Sequence, residues 1–327
     1  MSSAKKSLMA ALLSLIVSIL VLTLKTKAYY ATNSVAVLSD ALETVVNVIT
    51  SLIALYAVKL AAEPADENHP YGHGKMEYFS AAFEGGMILF AALSILFQSF
   101  KSFFVMGSVQ NFERGFIYLG AATLLNLVTG IFLISAGKSN RSEALKASGK
   151  HIITDVVTTL GVVVGLILIK VTHIIWIDSV IGVLLGVWLG FEAYKILRTN
   201  SGALLDETDD VALEQLSKII SRFRQPGVID IHNVRMIRSG NFHHIDAHMV
   251  IPYFWDVEHG HSLAHEFEKN VVTEYEYDGE FAFHMDPCQR LYCKACALPD
   301  CPVRQFPLEA ERPFTKEHLI KGPQYTV

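Results

Sequence analysis

The chain has 327 residues, 51% of them hydrophobic and 18% charged, and its mean hydropathy is +0.35. A soluble protein usually carries about 25% charged residues, so the composition excludes an ordinary soluble globule. The formal net charge of −5 is unevenly divided: residues 1–200 hold 15 Lys and Arg against 12 Asp and Glu, whereas residues 201–327 hold 12 against 20. Nine of the 13 histidines also lie in the second part. An acidic, histidine-rich region argues against nucleic acid as a partner and suits a surface that meets cations.

The first 200 residues contain six apolar segments of about 20 residues, the length that crosses a hydrocarbon core of about 30 Å. These predicted spans are Leu8–Leu24, Val35–Leu60, Tyr78–Val105, Phe116–Ala136, Ile152–Thr172 and Ile174–Leu197. An even number of spans places both ends of the chain on the same side of a membrane. Ten Lys and Arg residues flank that side, and five, including Lys25, flank the other. The positive-inside rule therefore predicts that the residues after 200 lie in the cytoplasm.

The second part of the chain has a different periodicity. Helical spacing of apolar residues predicts helices at Asp209–Arg224 and His259–Val272. Alternation of apolar and polar residues predicts strands at Val228–Ile237, Ile245–Ile251 and Glu280–Met285. The resulting α-β-β-α-β order is that of a small, metallochaperone-like α+β sandwich. A sandwich this short has little independent stability, so we expect dimerisation to stabilise it.

These patterns divide the chain into three predicted regions. Residues 1–200 form an all-α transmembrane domain of six helices, and residues 201–287 form a cytosolic α+β domain for dimerisation and regulation. Residues 288–327 form a Cys-rich C-terminal tail without clear periodicity.

Several polar residues lie inside the predicted spans, where such groups are costly and mark functional sites by default. The second span holds Asp40, Glu43 and Asn47, whose spacing of three and four residues puts them on one helical face. The fifth span opens with His151 and Asp155, again four residues apart. Two carboxylates, an amide oxygen and an imidazole make a ligand set that suits Zn²⁺, Mn²⁺ or Fe²⁺. The alternative is that these groups lie near helix ends and only bond neighbouring helices.

The loop between the second and third spans combines possible ligands with flexible backbone. Asp66, His69 and His73 lie close together in it, and Gly72 and Gly74 let the backbone fold around an ion. This composition indicates a second candidate metal site. The alternative is a solvated polar loop.

All four cysteines lie in the tail, in a C-x4-C-x2-C-x4-C pattern formed by Cys288, Cys293, Cys296 and Cys301. A CxxC pair flanked by two more cysteines is a credible thiolate site for Zn²⁺. Such a site would either close the tail onto the sandwich or sense cytosolic metal. The alternative is a set of reduced thiols without a ligand, or a disulfide formed in air.

The six spans, the ligand set divided between spans two and five, and the small α+β domain resemble the cation diffusion facilitator family. So does the loop sequence Asn-His-Pro-Tyr-Gly-His-Gly-Lys-Met-Glu at residues 68–77. The resemblance covers nearly the whole chain up to Cys288. It implies a homodimer in a lipid bilayer that is not an enzyme. The homodimer would export Zn²⁺, Mn²⁺, Fe²⁺, Co²⁺ or Cd²⁺ from the cytoplasm in exchange for protons, and the simplest location is a bacterial inner membrane.

The resemblance also implies roles for particular residues. The transport site falls on Glu43, Asn47, His151 and Asp155. The loop site falls on Asp66, His69 and His73. A regulatory cytosolic site falls on His232, His248, His261, His284 and Asp286, of which the last can bridge two ions. Lys75 and Asp206 correspond to a charge pair that ties the membrane domains of the dimer together.

The chain departs from the family pattern in the second span. The family usually has His or Asp at the position of Glu43 and Asp at the position of Asn47. A neutral amide makes the site harder and less anionic, which favours Mn²⁺ or Fe²⁺ over Zn²⁺. Asp40 is an alternative ligand if the helix is slightly rotated. The departure also leaves open a non-transporting metal sensor or a partner subunit of a related transporter.

Overall fold

The structure is a computed structural model that describes residues 3–32, 35–102, 112–172 and 176–322. It divides into two compact units, Met1–Leu205 and Asp206–Val327.

The first unit consists of six long helices in its described part. They are α1 (Ser3–Thr32), α2 (Val35–Ala61), α3 (Lys75–Ser102), α4 (Phe112–Asn140), α5 (Glu143–Thr172) and α6 (Trp176–Leu204). At 1.5 Å per residue, 27 to 30 residues extend about 40–45 Å, so each helix is longer than a hydrocarbon core is thick. The predicted all-α domain of six helices is confirmed, although residues 103–105, 174 and 175 of the predicted spans lie outside the described residues.

The outer surface of this unit is apolar, as expected for helices surrounded by lipid. Large apolar residues on this surface are 48–71% exposed, among them Leu12, Ile16, Phe90, Phe97 and Ile131. Three segments are by themselves long and apolar enough to cross a membrane: Lys5–Ala31, Lys75–Lys101 and Ile117–Asn140. Helices α2, α5 and α6 are equally long, but each includes residues whose side chains lie outside the described set.

Glycines let α4 and α5 approach each other closely. A Cβ atom on Gly130 would lie 2.8 Å from the Ile153 side chain, and one on Gly149 would lie 2.8 Å from the backbone nitrogen of Ile134. Lipid removes the hydrophobic driving force for helix association. Small residues at helix interfaces promote association instead, because they allow close van der Waals packing. The close approach fixes the position of α5, which carries His151 and Asp155.

The second unit is a three-stranded sheet packed against helices. Its elements are α7 (Asp210–Arg222), β1 (Asp230–Ser239), β2 (Phe242–Ile251), α8 (Val257–Glu274), β3 (Asp278–Pro287), a short 3-10 helix (Arg290–Ala295) and α9 (Lys316–Lys321). The strand order is β1-β2-β3, with β1 and β2 antiparallel and β2 and β3 parallel. The parallel pair is possible because α8 forms the crossover between β2 and β3. The predicted α-β-β-α-β order is confirmed.

The tail is part of the second unit's core. Phe314 and Leu319 are at most 2% exposed and pack with Phe267 and Ile231 in one apolar cluster. The Arg224 guanidinium fixes this segment, because it donates to the Arg312 carbonyl at 2.5 Å and lies 4.5 Å from the centre of the Phe314 ring. We call residues 288–322 the strap. The sequence showed no clear periodicity here because α9 has only six residues, too few for a periodic pattern.

Candidate metal centres

The membrane site is formed where α2 meets α5. Asn47, His151 and Asp155 are each 3–4% exposed. The Oδ1 atom of Asn47 lies 2.6 Å from Nε2 of His151, and the Nδ2 atom of Asn47 donates a hydrogen bond to Oδ2 of Asp155. The amide therefore contacts both residues of α5 at once. A cation bound here would break these hydrogen bonds, because its candidate ligand atoms are Oδ1 of Asn47, Nε2 of His151 and Oδ2 of Asp155, all of which take part in them.

The structure thus brings together three of the four residues predicted for transport. Glu43 belongs to α2, but its side chain lies outside the described residues. It precedes Asn47 by four positions, so the two residues share one face of the helix. Its role as the fourth ligand stays a prediction.

Asp40 forms a buried ion pair in the same unit. Its Oδ1 lies 2.8 Å from Nζ of Lys25, whose side chain is only 2% exposed. In the sequence, Lys25 is one of the basic residues predicted to flank a membrane face. Nothing in the sequence indicates that it pairs with a carboxylate 15 positions away. Asp40 as an alternative ligand stays a prediction, and a cation there would compete with the Lys25 ammonium.

The loop site is compact and open to solvent. Asp66 accepts hydrogen bonds from the backbone N–H groups of Asn68 at 2.9 Å and His69 at 2.6 Å. The Nδ1 atom of His69 lies 3.2 Å from Oδ1 of Asp66, and Nε2 of His73 lies 3.5 Å from Oδ2. Ligand atoms of Asp66, His69 and His73 lie within 4.8 Å of one another, which fits a three-residue cation site.

Electrostatics keep the loop carboxylate charged. The hydrogen bond from the His69 N–H lowers the pKa of Asp66 below its usual value, and contacts with the His69 ring and the Asn68 N–H add to the effect. The carboxylate is therefore ionised at neutral pH and available to a cation. Gly72, with φ of +75°, supplies a left-handed turn between the two histidines that an L side chain would strain.

The cytosolic site is a row of side chains across the sheet. His232 of β1 is the register partner of His248 in β2, and His248 is the register partner of His284 in β3. Register partners point to the same face of a sheet, so the three imidazoles lie side by side. Their ring centres are 5.4 Å apart between His232 and His248 and 4.8 Å apart between His248 and His284.

Asp286 lies two residues beyond His284, on the same face of the sheet. Its Oδ2 atom is 2.8 Å from Nδ1 of His248 and 3.8 Å from Nε2 of His232. Its Oδ1 atom is 3.4 Å from Nε2 of His284. The two carboxylate oxygens thus face different histidines, which is the arrangement needed to bridge two ions. Ligand atoms of His232, His248 and Asp286 lie within 4.8 Å of one another.

His261 lies apart from this cluster in the single chain. It is exposed on α8, where its ring stacks on that of His265 at 6.2 Å. Its role as a ligand stays a prediction. The same holds for Lys75 and Asp206, which were predicted to pair between subunits, because the structure contains one chain.

A buried carboxylate behind the cytosolic site was missed by the sequence analysis. Asp230 is 1% exposed, and its oxygens lie 3.3 Å from Nδ1 of His232 and 2.6 Å from Nε2 of His318 in the strap. Burial alone would raise the pKa of Asp230, but the contacts with the two imidazoles outweigh it and leave the pKa below its usual value. A carboxylate that faces the outer nitrogen of a ligating histidine fixes the orientation of that ring.

The four tail cysteines lie near one another, but their sulfur atoms do not meet at a common point. All four are free thiols, and all four line one cavity in the second unit. They are not among the groups of described residues whose ligand atoms lie within 4.8 Å of one another. Burial raises the pKa of the Cys288 thiol, although a backbone hydrogen bond from Tyr253 opposes the effect.

An apolar helical unit with a buried cluster of candidate ligands, together with a second unit that has candidate metal ligands of its own, is the arrangement expected of a membrane protein that handles cations. A model of the cation efflux transmembrane domain matches residues 11–205, and a model of the cytoplasmic domain of cation efflux proteins matches residues 208–288. Both ranges agree with the division seen in the structure.

Full-length relatives support the same assignment. The uncharacterized transporter sll1263 of Synechocystis sp. is 33% identical over 304 residues, which are 93% of this chain and 97% of the relative. The cation-efflux pump FieF of Shewanella oneidensis is 25% identical over 276 residues (84% and 92%). The manganese efflux system protein MneS of Bacillus subtilis is 23% identical over 287 residues (88% and 97%).

The chain belongs to the cation efflux family, the cation diffusion facilitators. It is an integral membrane protein of a transporter family, and its second unit is a cytoplasmic domain.

Proposed function

We propose that the protein is a homodimeric antiporter that exports a divalent transition-metal ion across a bacterial inner membrane in exchange for protons. The observation that carries the proposal is the contact of the Asn47 amide with both His151 and Asp155. These three groups are buried among apolar helices, where polar side chains are retained for function.

Competition between metal and protons supplies the coupling. Metal ligands must be deprotonated, so an arriving cation displaces protons from the site and arriving protons displace the cation. An arriving proton competes with the cation for Nε2 of His151, the ring nitrogen that contacts Asn47, so His151 is the proposed proton carrier. Metal enters from the cytoplasm, the helices rock, and protons on the other side release it.

The test is uptake of metal into proteoliposomes containing the full chain, with and without an imposed proton gradient. We expect one or a few of Zn²⁺, Mn²⁺, Fe²⁺, Co²⁺ and Cd²⁺ to be taken up, and the rate to rise when protons run in the opposite direction. A rate of metal uptake that is the same with and without the proton gradient would contradict proton exchange. A folded dimer that takes up none of these ions would favour the metal sensor or partner subunit.

The amide of Asn47 sets the metal preference in this proposal. Of the similar proteins, one is named a cation-efflux pump and another a manganese efflux protein, so the names of the relatives do not point to a single substrate. Amide oxygen suits harder cations, which favours Mn²⁺ or Fe²⁺ over Zn²⁺ here.

We expect Asn47→Asp to shift the ratio of Zn²⁺ to Mn²⁺ transport toward Zn²⁺ by roughly tenfold, which corresponds to about 1.4 kcal/mol of relative binding. The reason is the added negative charge beside His151 and Asp155. Competition between the two ions in proteoliposomes measures the ratio. Asn126→Asp places the same change at a buried position of α4 and is the matched control. An equal shift in both variants would show that the effect is not local to the site.

The cytoplasmic domain acts as a regulator in this scheme. Metal bound by the histidine row and Asp286 would draw the two copies of the domain together and favour transport. The loop site at Asp66, with His69 and His73, would hold a further ion, and Lys75 and Asp206 would pair between subunits. A separation between the two domains that stayed constant during metal titration would instead indicate a permanently assembled dimer.

We expect Asp230→Asn to weaken metal binding at the cytosolic site by roughly 10–100-fold, the usual effect of losing the partner of a ligating histidine. The neutral amide no longer fixes the His232 ring. Isothermal titration of the full chain with Zn²⁺ measures the change. Glu280→Gln is the matched control, because Glu280 contacts Nδ1 of His244 at 2.8 Å on the same sheet, away from the row. Unchanged affinity in Asp230→Asn would exclude the positioning role.

A further inference from the structure

The strap encloses a cavity of about 370 Å³ that the transport scheme does not use. Its lining includes all four cysteines of the chain, together with Ile229, Tyr292 and Arg304. Both family models end at or before residue 288, so the cavity is built mainly from residues that the family domains do not include. Four thiols around one space are a metal-binding composition rather than an ordinary apolar core.

The backbone holds each cysteine at a fixed point of this cavity. The Cys288 N–H donates to the Ile251 carbonyl at 2.8 Å, which extends the pairing of β2 and β3 by one residue. Turns place the others: the Cys296 N–H donates to the Cys293 carbonyl at 3.4 Å, and the Arg304 N–H donates to the Cys301 carbonyl at the same distance. The two turns thus fix the backbone at Cys293, Cys296 and Cys301.

Arg304 fixes the backbone of the cysteine loop. Its guanidinium donates to the carbonyls of Cys293 at 3.2 Å, Cys296 at 3.1 Å and Leu298 at 2.7 Å. One side chain therefore ties three points of the cysteine loop together.

We propose that Cys288, Cys293, Cys296 and Cys301 bind one Zn²⁺ as a tetrathiolate site that locks the strap onto the cytoplasmic domain. Cysteines in the cytosol are kept reduced, so metal is a better-supported partner for these thiols than a disulfide. Zinc–sulfur bonds of about 2.3 Å require the sulfurs to move inward from the cavity wall, so the proposal includes rotation of the four cysteine side chains when zinc binds.

The site would stabilise more than its own loop. The strap that starts at Cys288 continues to Phe314 and Leu319 in the core and to His318, which contacts Asp230 behind the histidine row. Cys288 also follows Asp286, the proposed bridging ligand, by only two residues, directly after the end of β3. Zinc in the tail would therefore anchor the first part of the strap, whose last part contacts the residues behind the regulatory site.

The experiment uses the full chain, purified in detergent under reducing conditions and loaded with Co²⁺ in place of Zn²⁺. Thiolate ligation gives a sulfur-to-cobalt charge-transfer absorption that histidine and carboxylate ligation do not give. We expect this absorption to saturate at one equivalent per chain, to persist in a His248→Ala/Asp286→Ala variant and to disappear in Cys293→Ser/Cys296→Ser. Zinc content should fall by one ion per chain in the cysteine variant.

Absence of the charge-transfer absorption in the unmodified protein would overturn the proposal, as would zinc content that the cysteine substitutions leave unchanged. If the cysteine variant fails to fold, the rate of thiol labelling in the unmodified protein, with and without zinc, tests the site instead. Labelling that zinc slows and a chelator restores supports the site, and labelling that zinc does not affect refutes it. None of these readouts depends on transport, so the result is independent of the proposed export activity.

Discussion

Asp155→Ala should reduce metal uptake by roughly 100-fold or more, since loss of even an outer partner of a metal ligand costs 10–100-fold and Asp155 is itself a proposed ligand. The substitution removes a carboxylate from the membrane site and leaves the Nδ2 group of Asn47 without its acceptor. Uptake of metal into proteoliposomes under a proton gradient measures the effect. The loss should affect every transported ion, because no ion can bind without this charge.

The matched control is Thr159→Ala, one helical turn further along α5. Thr159 is also buried, and its hydroxyl donates to the carbonyl of Asp155 rather than to a side chain of the site. It should retain near-normal uptake. Full activity in Asp155→Ala would remove the membrane site from the mechanism, and equal loss in both variants would indicate damage to the helix rather than to a ligand.

Lys25→Met should destabilise the membrane unit by about 2–3 kcal/mol, less than the usual cost of removing one partner of a fully buried ion pair, because the Asp40 side chain is 21% exposed. The substitution leaves the Asp40 carboxylate among helices without the ammonium that lies 2.8 Å away in the native protein. Unfolding of the purified protein in detergent, followed as a shift in melting temperature, measures the loss.

The double variant Lys25→Met/Asp40→Asn distinguishes the pair from the side-chain packing of Lys25. With both charges removed, position 40 no longer carries an unpaired carboxylate, and the double variant should recover most of the stability that the single variant lost. A double variant as unstable as Lys25→Met would show that the ion pair contributes little and that Lys25 acts through its other contacts.

The fold was predictable because both of its periodicities are strong. Runs of about 20 apolar residues predict membrane helices irrespective of their neighbours, and the spacing between His151 and Asp155 requires only that the segment be helical. The histidines of the cytosolic row were assigned through the family resemblance. The structure adds that His232, His248 and His284 are register partners, which depends on strand pairing that no local pattern encodes.

The contacts that the sequence did not reveal join distant residues. Asp230 and His318 are 88 positions apart, and their contact requires the strap to return across β1. Lys25 was assigned to a membrane flank because charge counting considers a residue's position along a helix and not the residue it faces. In both cases the partner is determined by tertiary packing, and neither spacing nor composition contains that information.

The histidine row also restricts how this domain can change in length. A two-residue turn at Gly240 and Asn241 joins β1 to β2, and Gly240 has a φ of +64°. An inserted residue in that turn that shifted the register of β2 would move His248 out of line with His232 and turn the side chains of β2 to the opposite faces of the sheet. The crossover through α8 has no such constraint, because the end of a helix can absorb added residues. We therefore expect natural insertions among homologues to collect around α8 and to be absent from the hairpin.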